Sequence, residues 1–410
     1  MRIAVAFLLC CIVARPVAAQ DWDQYRGPGR DGVVPHGNVP KTWPEAVRRV
    51  WRLDIGEGHS SPLIRDGRVY VHSRQGDEEI VTTVDFESGR ILWQQRYHAP
   101  FKQHPAALRI GKGPNSTPIL AGVRLYTLGV TGVLSAWQLS DGRRVWQKDY
   151  SDSIDTSKNF CGTAMSPIVE DDGLIVQVGS DVHGGRILSI DMATGDERWT
   201  QRTPGPGYAS PIAITAGGVR QIVMVTGQTI LGLDPKTGSS LWSVPFPDEY
   251  SENIVTPVWT GTHLIVGHVR LGTQAFTVSA DGSSLRAAQA WSNPDVTMYM
   301  SAPVVADGTV YGMSNKRRGQ FVALDAATGA VRWASRGREG EHASILLAPA
   351  HVLYFSNDGE MIVVRREPSK FAEERRVSVT QGQAWAVPAL TAGGLVVRDG
   401  RSLVRLEWRK

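Results

Sequence analysis

Short runs rich in β-branched, aromatic and alternating apolar residues recur along most of the chain, as in Arg68-Val69-Tyr70-Val71 and Arg186-Ile187-Leu188-Ser189-Ile190. Tight-turn dipeptides separate them: Asp66-Gly67, Asp172-Gly173, Gly217-Gly218, Asp307-Gly308 and Gly393-Gly394. Short runs with turns at close intervals predict strands joined as hairpins.

The runs belong to a repeat. Segments 85–93, 191–199, 234–242 and 325–333 each carry Asp, then Gly four residues on, then Trp four further; 138–146 keeps Gly142 and Trp146 but has Gln138. An Asp side chain can bond the turn's own N–H groups, and Gly tolerates positive φ there. The Trp then opens the return strand, where its ring can cover the gap between neighbouring sheets.

A Ser-Pro or Thr-Pro pair, or a close variant, precedes each hairpin at Pro62, Pro118, Pro167, Pro211, Pro257, Pro303 and Pro388, with Ser344-Ile345 filling the remaining place. The spacings run from 42 to 56 residues, the period of four-stranded propeller blades. Eight landmarks predict an all-β, eight-bladed propeller of antiparallel four-stranded blades. The last blade has room for only three strands after Ala386, whereas 47–54, with Trp51, reads as a return strand without a hairpin. That strand is expected to complete the last blade and close the ring, which removes long exposed edges. Trp51, Trp93, Trp146, Trp199, Trp242 and Trp333 are the expected docking tryptophans. The fifth blade is expected to lack one, with Arg286 in its place, and the seventh to carry a polar loop from Glu367 to Glu374 and Val377 on its return strand.

Composition changes this picture little. The 43 Gly and 13 Trp suit a turn-rich β fold, and 44 basic against 40 acidic residues leave a net charge of +4, too small and scattered for a nucleic-acid footprint. The first 19 residues combine Arg2, an apolar run from Ile3 to Val13 and Val17-Ala18-Ala19, the pattern of a cleaved export signal. Lipid anchoring through Cys10 or Cys11 is disfavoured, because Leu9 or Cys10 stands where a small residue is preferred. Residues 20–46 are expected to form an extended strap and 47–410 a single propeller. No later run is long enough to span a membrane.

The repeat resembles the pyrroloquinoline quinone-like (PQQ-like) propeller family. The docking motif A-x-D-x-x-T-G-x-x-x-W is matched by 323–333, and 21–28 is similar to the leader of an exported bacterial subgroup. The resemblance covers about residues 47–410. It implies a fold shared by quinoprotein dehydrogenases and by the propeller lipoprotein of the outer-membrane β-barrel assembly machinery, so fold leaves function open. Quinoprotein dehydrogenases resemble this chain in their repeats but are longer. They hold a quinone with calcium, and typically carry adjacent cysteines stacked on the quinone. Here Cys161 stands alone beyond the export segment, and no histidine spacing, nucleophile elbow or phosphate loop is present.

Counting three or four residues back from each Pro landmark brings His59, Asn115, Tyr208, Asn253, Tyr299, Glu341, His342 and Trp385 around one mouth of the central channel, a candidate ligand or partner site. Two long connections face the same mouth. Residues 94–117 include Phe101, His104 and Arg109, and 147–166 include Lys158, Phe160 and Cys161. The expectation is a non-catalytic, monomeric, exported propeller acting as a protein-interaction scaffold in the bacterial envelope, periplasmic or secreted, with no catalytic, cofactor-binding or metal-ligating residue assigned and no nucleic-acid partner. Two alternatives remain: a PQQ- and calcium-dependent alcohol or sugar dehydrogenase, and a carbohydrate-binding propeller stacking sugars on Tyr208, Tyr299 and Trp385.

Overall fold

The computed structural model describes residues 21–40, 42–155, 159–282 and 284–409. The proposed export segment and Lys158 therefore lie outside the described residues.

Eight antiparallel four-stranded sheets form the propeller. Seven take their strands in chain order. The eighth runs Val47–Asp54, Ser402–Trp408, Gly394–Asp399, Ala389–Thr391, so the first strand closes the last blade as the sequence predicts. Each blade starts on a short strand at the channel, such as Leu63–Arg65 or Ile168–Glu170. The second strands are covered on both faces by neighbouring blades and need no polar side; Gly173–Ser180 is buried along its whole length. Outer strands such as Glu197–Thr203 are mostly exposed and mixed in polarity.

The Asp-to-Gly turns show why the motif recurs. Asp191 Oδ1 accepts from the N–H groups of Ala193 and Thr194 at 2.8 and 2.9 Å, and Asp325 does the same with Ala327 and Thr328. Gly195 and Gly238 sit at φ +80° and +72°. A Cβ on Gly238 would fall 2.4 Å from the Trp199 ring of the preceding blade. Glycine is thus required by conformation and by contact. The docked indole N–H then donates to the carbonyl following the Asp position: Trp51 to Phe86, Trp93 to Leu139, Trp146 to Met192 and Trp199 to Pro235, at 2.9–3.1 Å.

Blade five corrects the expectation that it has no docking tryptophan. Its outer strands, Gly272–Asp281 and Ser284–Asn293, are ten residues each and joined by a tight turn, so the tryptophan comes five residues after Arg286, at Trp291. Trp291 pairs with Ala275 immediately before a bulge, as Trp333 pairs with Ala323, and its N–H reaches Ala326 O at 3.1 Å. Blade five keeps a turn at Asp281-Gly282, but Asp281 pairs directly with Ser284 in place of the longer capped turn, so Trp242 of blade four lacks that seat and donates within its own sheet to Gln221 Oε1. In blade seven the polar loop still accepts from Trp333 through Glu367 O at 2.8 Å, with Phe371 packed 5.4 Å from the Trp333 ring.

Residues 21–40 and 42–46 run beneath the ring. Trp22 is fully buried and pairs with Ile64 of blade one, Val34 with Leu347 of blade seven, and Trp43 packs edge-on against Trp408 and His351. Between these anchors, Arg26 and Arg30 turn into the channel. Arg30 donates to Pro167 O and Pro211 O at 2.8 and 2.7 Å, and Arg26 to Pro303 O. The strap thereby stops the end of the channel opposite the mouth.

Candidate functional site at the channel mouth

A cavity of 250 Å³ occupies the channel at the mouth. All eight positions three residues before the landmarks border it: His59, Asn115, Ala164, Tyr208, Ile254, Met300, His342 and Trp385. The blades place equivalent residues at equal depth, so counting from a landmark becomes a radial map.

Of the candidates one step earlier, Tyr299 borders the cavity, and Glu341 lies at an adjoining opening. Asn253 does not reach it. Its side-chain amide is buried and donates to Thr226 O, Gly227 O and Phe246 O, tying three loop carbonyls together.

The rings from blades one, eight and seven are layered. His342 stacks on Trp385 at 5.3 Å, and His59 tilts against the same indole at 5.9 Å. Burial lowers both imidazoles to about 4, so both are neutral at pH 7. His59 Nε2 meets Ile110 O of the first long connection. Asn115 donates to Cys161 O at 3.1 Å, and Cys161 N–H reaches the Tyr208 hydroxyl at 3.4 Å.

The two long connections cross the mouth and touch. His104 stacks on Phe160 at 4.2 Å, and Arg109 pairs with Glu341 of blade seven at 2.8 Å. Ala106, Ala107, Ile110 and Phe160 complete the upper wall. Cys161 is half-buried on this wall, and burial pushes its thiol up to about 11. A protonated thiol is a poor nucleophile. Burial also raises Tyr208, Tyr299 and Glu252, the last hydrogen-bonded to Tyr299. Burial around the mouth thus favours the uncharged forms of His59, His342, Tyr208, Tyr299, Cys161 and Glu252.

Sequence reasoning missed the floor, which Tyr25 and Arg26 supply from the strap. The Arg26-Gly27-Pro28-Gly29-Arg30 turn was the available signal, but nothing local says which surface it covers. It also passed over the Ser and Thr residues that precede five of the seven landmark prolines, although these formed the landmark itself.

A quinone with calcium would need several convergent oxygen ligands, carboxylates among them. The described residues contain no cluster of three His, Cys, Asp or Glu side chains suited to a metal, and of the mouth's carboxylates Glu252 is held by Tyr299 and Glu341 by Arg109. These residues do not fit that group.

A family model described as outer membrane protein assembly factor BamB matches residues 44–107 and 77–335. BamB of Yersinia pestis is 24% identical over 276 residues, covering 64% of this chain and 63% of that protein. Subunit 1 of the cytochrome c methanol dehydrogenase of Methylorubrum extorquens is 26% identical over 186 residues, covering 42% of this chain and 27% of that protein. The chain thus spans less than two-thirds of either curated relative. Among solved structures, BamB from Moraxella catarrhalis aligns with a TM-score of 0.61 at 16% identity, covering 88% of this chain and 98% of its own. Quinohemoprotein alcohol dehydrogenase from Comamonas testosteroni aligns at 0.66 and 12% identity, covering 94% and 80%. These structural likenesses concern the fold.

Proposed function

Because the chain belongs to the PQQ-like propeller family whose model is described as outer membrane protein assembly factor BamB, we propose that it is a non-catalytic protein-interaction scaffold of the bacterial envelope, with its partner surface on the mouth face. The observation that carries this reading is the state of the mouth. His59 and His342 are neutral, the Cys161 thiol is protonated, Glu341 is paired with Arg109 and Glu252 is hydrogen-bonded to Tyr299. Neutral imidazoles and a protonated thiol offer hydrogen bonds and packing surface but no charged nucleophile.

The longest connections meet on this face and leave Leu108 66% exposed at its rim, suited to a protein contact. Export rests on residues 1–19, and no described helix is long and apolar enough to cross a membrane. Assembly proteins of the outer membrane are the partners that the BamB relatives suggest.

A dehydrogenase is the second reading, favoured by the similarity to methanol dehydrogenase over 42% of the chain. Titrating purified protein with pyrroloquinoline quinone and calcium separates the two. The scaffold reading expects no saturable absorbance change, no gain in melting temperature and no dye reduction with alcohols or sugars. Saturable binding with substrate-dependent dye reduction overturns it.

A further inference from the structure

Below the mouth, the channel presents donors and positive charge that the fold does not neutralise. A run of hydroxyls links one blade to the next. Ser61 Oγ accepts from Val387 N–H, Thr117 Oγ1 from Ser61, Ser166 Oγ from Thr117, Ser210 Oγ from Ser166 and Thr256 Oγ1 from Ser210, all at 2.9–3.2 Å. A hydroxyl that accepts a backbone N–H still has its own proton to give. Among the described residues none of these five donates elsewhere, and all five border the cavity.

One residue deeper lie the Pro carbonyls that receive the strap's guanidiniums. Arg26 borders the same cavity, is 2% exposed, and bonds Pro303 O and Asp31 O through Nη2, while its Nη1 has no partner. Arg30 and Arg398 are also buried and bond mainly to carbonyls. Among the described residues no carboxylate pairs with any of the three. Buried charge is costly without a counter-ion, and an unpaired donor adds to the cost.

We propose that the floor of this cavity binds the carboxylate of a small aromatic or branched aliphatic monoacid. The carboxylate lies among the hydroxyls of blades one to five, beside the Arg26 guanidinium, and the apolar body fills the space between Trp385, Phe160, Ile254 and Val387. The donors are neutral hydroxyls and a guanidinium, the set that recognises a carboxylate. The walls above them are apolar, with Trp385 offering a ring face. A 250 Å³ cavity lies below the range of sites for drug-sized ligands, so the ligand is small. The site needs no protein partner, so its failure would leave the scaffold reading untouched.

Calorimetry of the full protein at low ionic strength, with phenylacetate against the isosteric neutral phenylacetamide, tests this. Phenylacetate should bind saturably and quench tryptophan fluorescence. The amide and the Arg26→Gln variant should each weaken binding by about tenfold or more, the weight of a charged hydrogen bond. Ala164→Leu, which adds bulk to the cavity wall and leaves Arg26 and the hydroxyl-bearing residues in place, should abolish binding while the melting temperature holds. If Arg26→Gln does not fold, the amide comparison and Ala164→Leu decide. The proposal fails if phenylacetate does not bind at millimolar concentration, if the amide binds equally well, or if either folded variant binds like the parent.

Discussion

A chain lacking residues 47–54 does not fold into a cooperative ring. Val47–Asp54 is the outer strand of the last blade, paired from Val47 opposite Trp408 to Asp54 opposite Ser402. Without it, Ser402–Trp408 becomes an unpaired edge, the kind that recruits other chains. The Gly89 turn also loses the Trp51 ring, which lies so close that a Cβ there would fall 2.7 Å from it. Loss of a packed tryptophan alone costs about 3 kcal/mol or more. With a strand ladder lost as well, the total approaches the whole stability of an ordinary domain, about 5–15 kcal/mol. Calorimetry and size-exclusion chromatography should show a lost or broadened transition and aggregation; a sharp transition at the parental temperature would contradict closure by this strand.

Glu79→Gln should be the most damaging single substitution, and its effect should depend on pH. Glu79 is fully buried between blades one and two. Its Oε1 accepts from Arg74 at 3.2 Å and Val130 N–H at 2.9 Å, while Oε2 accepts from the Tyr97 hydroxyl and lies 3.3 Å from His72 Nε2. Burial pushes this carboxyl up, but the bonds from His72 and Tyr97 and the charge of Arg74 outweigh it and hold it at about 2. A carboxyl lowered on folding contributes fully above its unfolded value near 4.5 and loses that contribution as pH falls toward 2. Removing one partner of such a buried network costs about 3–5 kcal/mol. At pH 7 the variant should therefore melt well below the parent, and the two curves should converge between about pH 4.5 and 2. Parallel curves across that range would show that Glu79 carries no pH-linked stability.

Much of the fold was legible in the sequence because each blade repeats a turn that permits few alternatives. The Asp caps its own turn, the Gly takes positive φ under an indole, and the Pro marks the channel strand. Legibility failed where a blade met the same need by other means. Lengthening the outer strands of blade five moved its tryptophan from the expected place to Trp291 and left Trp242 without a seat. At the mouth, radial equivalence gave the depth of His59, Tyr208, His342 and Trp385 from counting alone. Asn253 escaped the count because three loop carbonyls claim its amide. Arg26 and Arg30 were illegible because contacts distant in sequence, Trp22 with Ile64 of blade one and Val34 with Leu347 of blade seven, place the turn that carries them.

Site-specific photo-crosslinking in native envelopes tests most directly whether the mouth is the working face. A photoreactive residue at Leu108, on the connection that crosses the mouth, is compared with one at Val331, exposed at the opposite end of blade six. The account predicts one or a few discrete protein adducts from position 108 and none from position 331. Adducts only from position 331, or the same pattern from both, would contradict it.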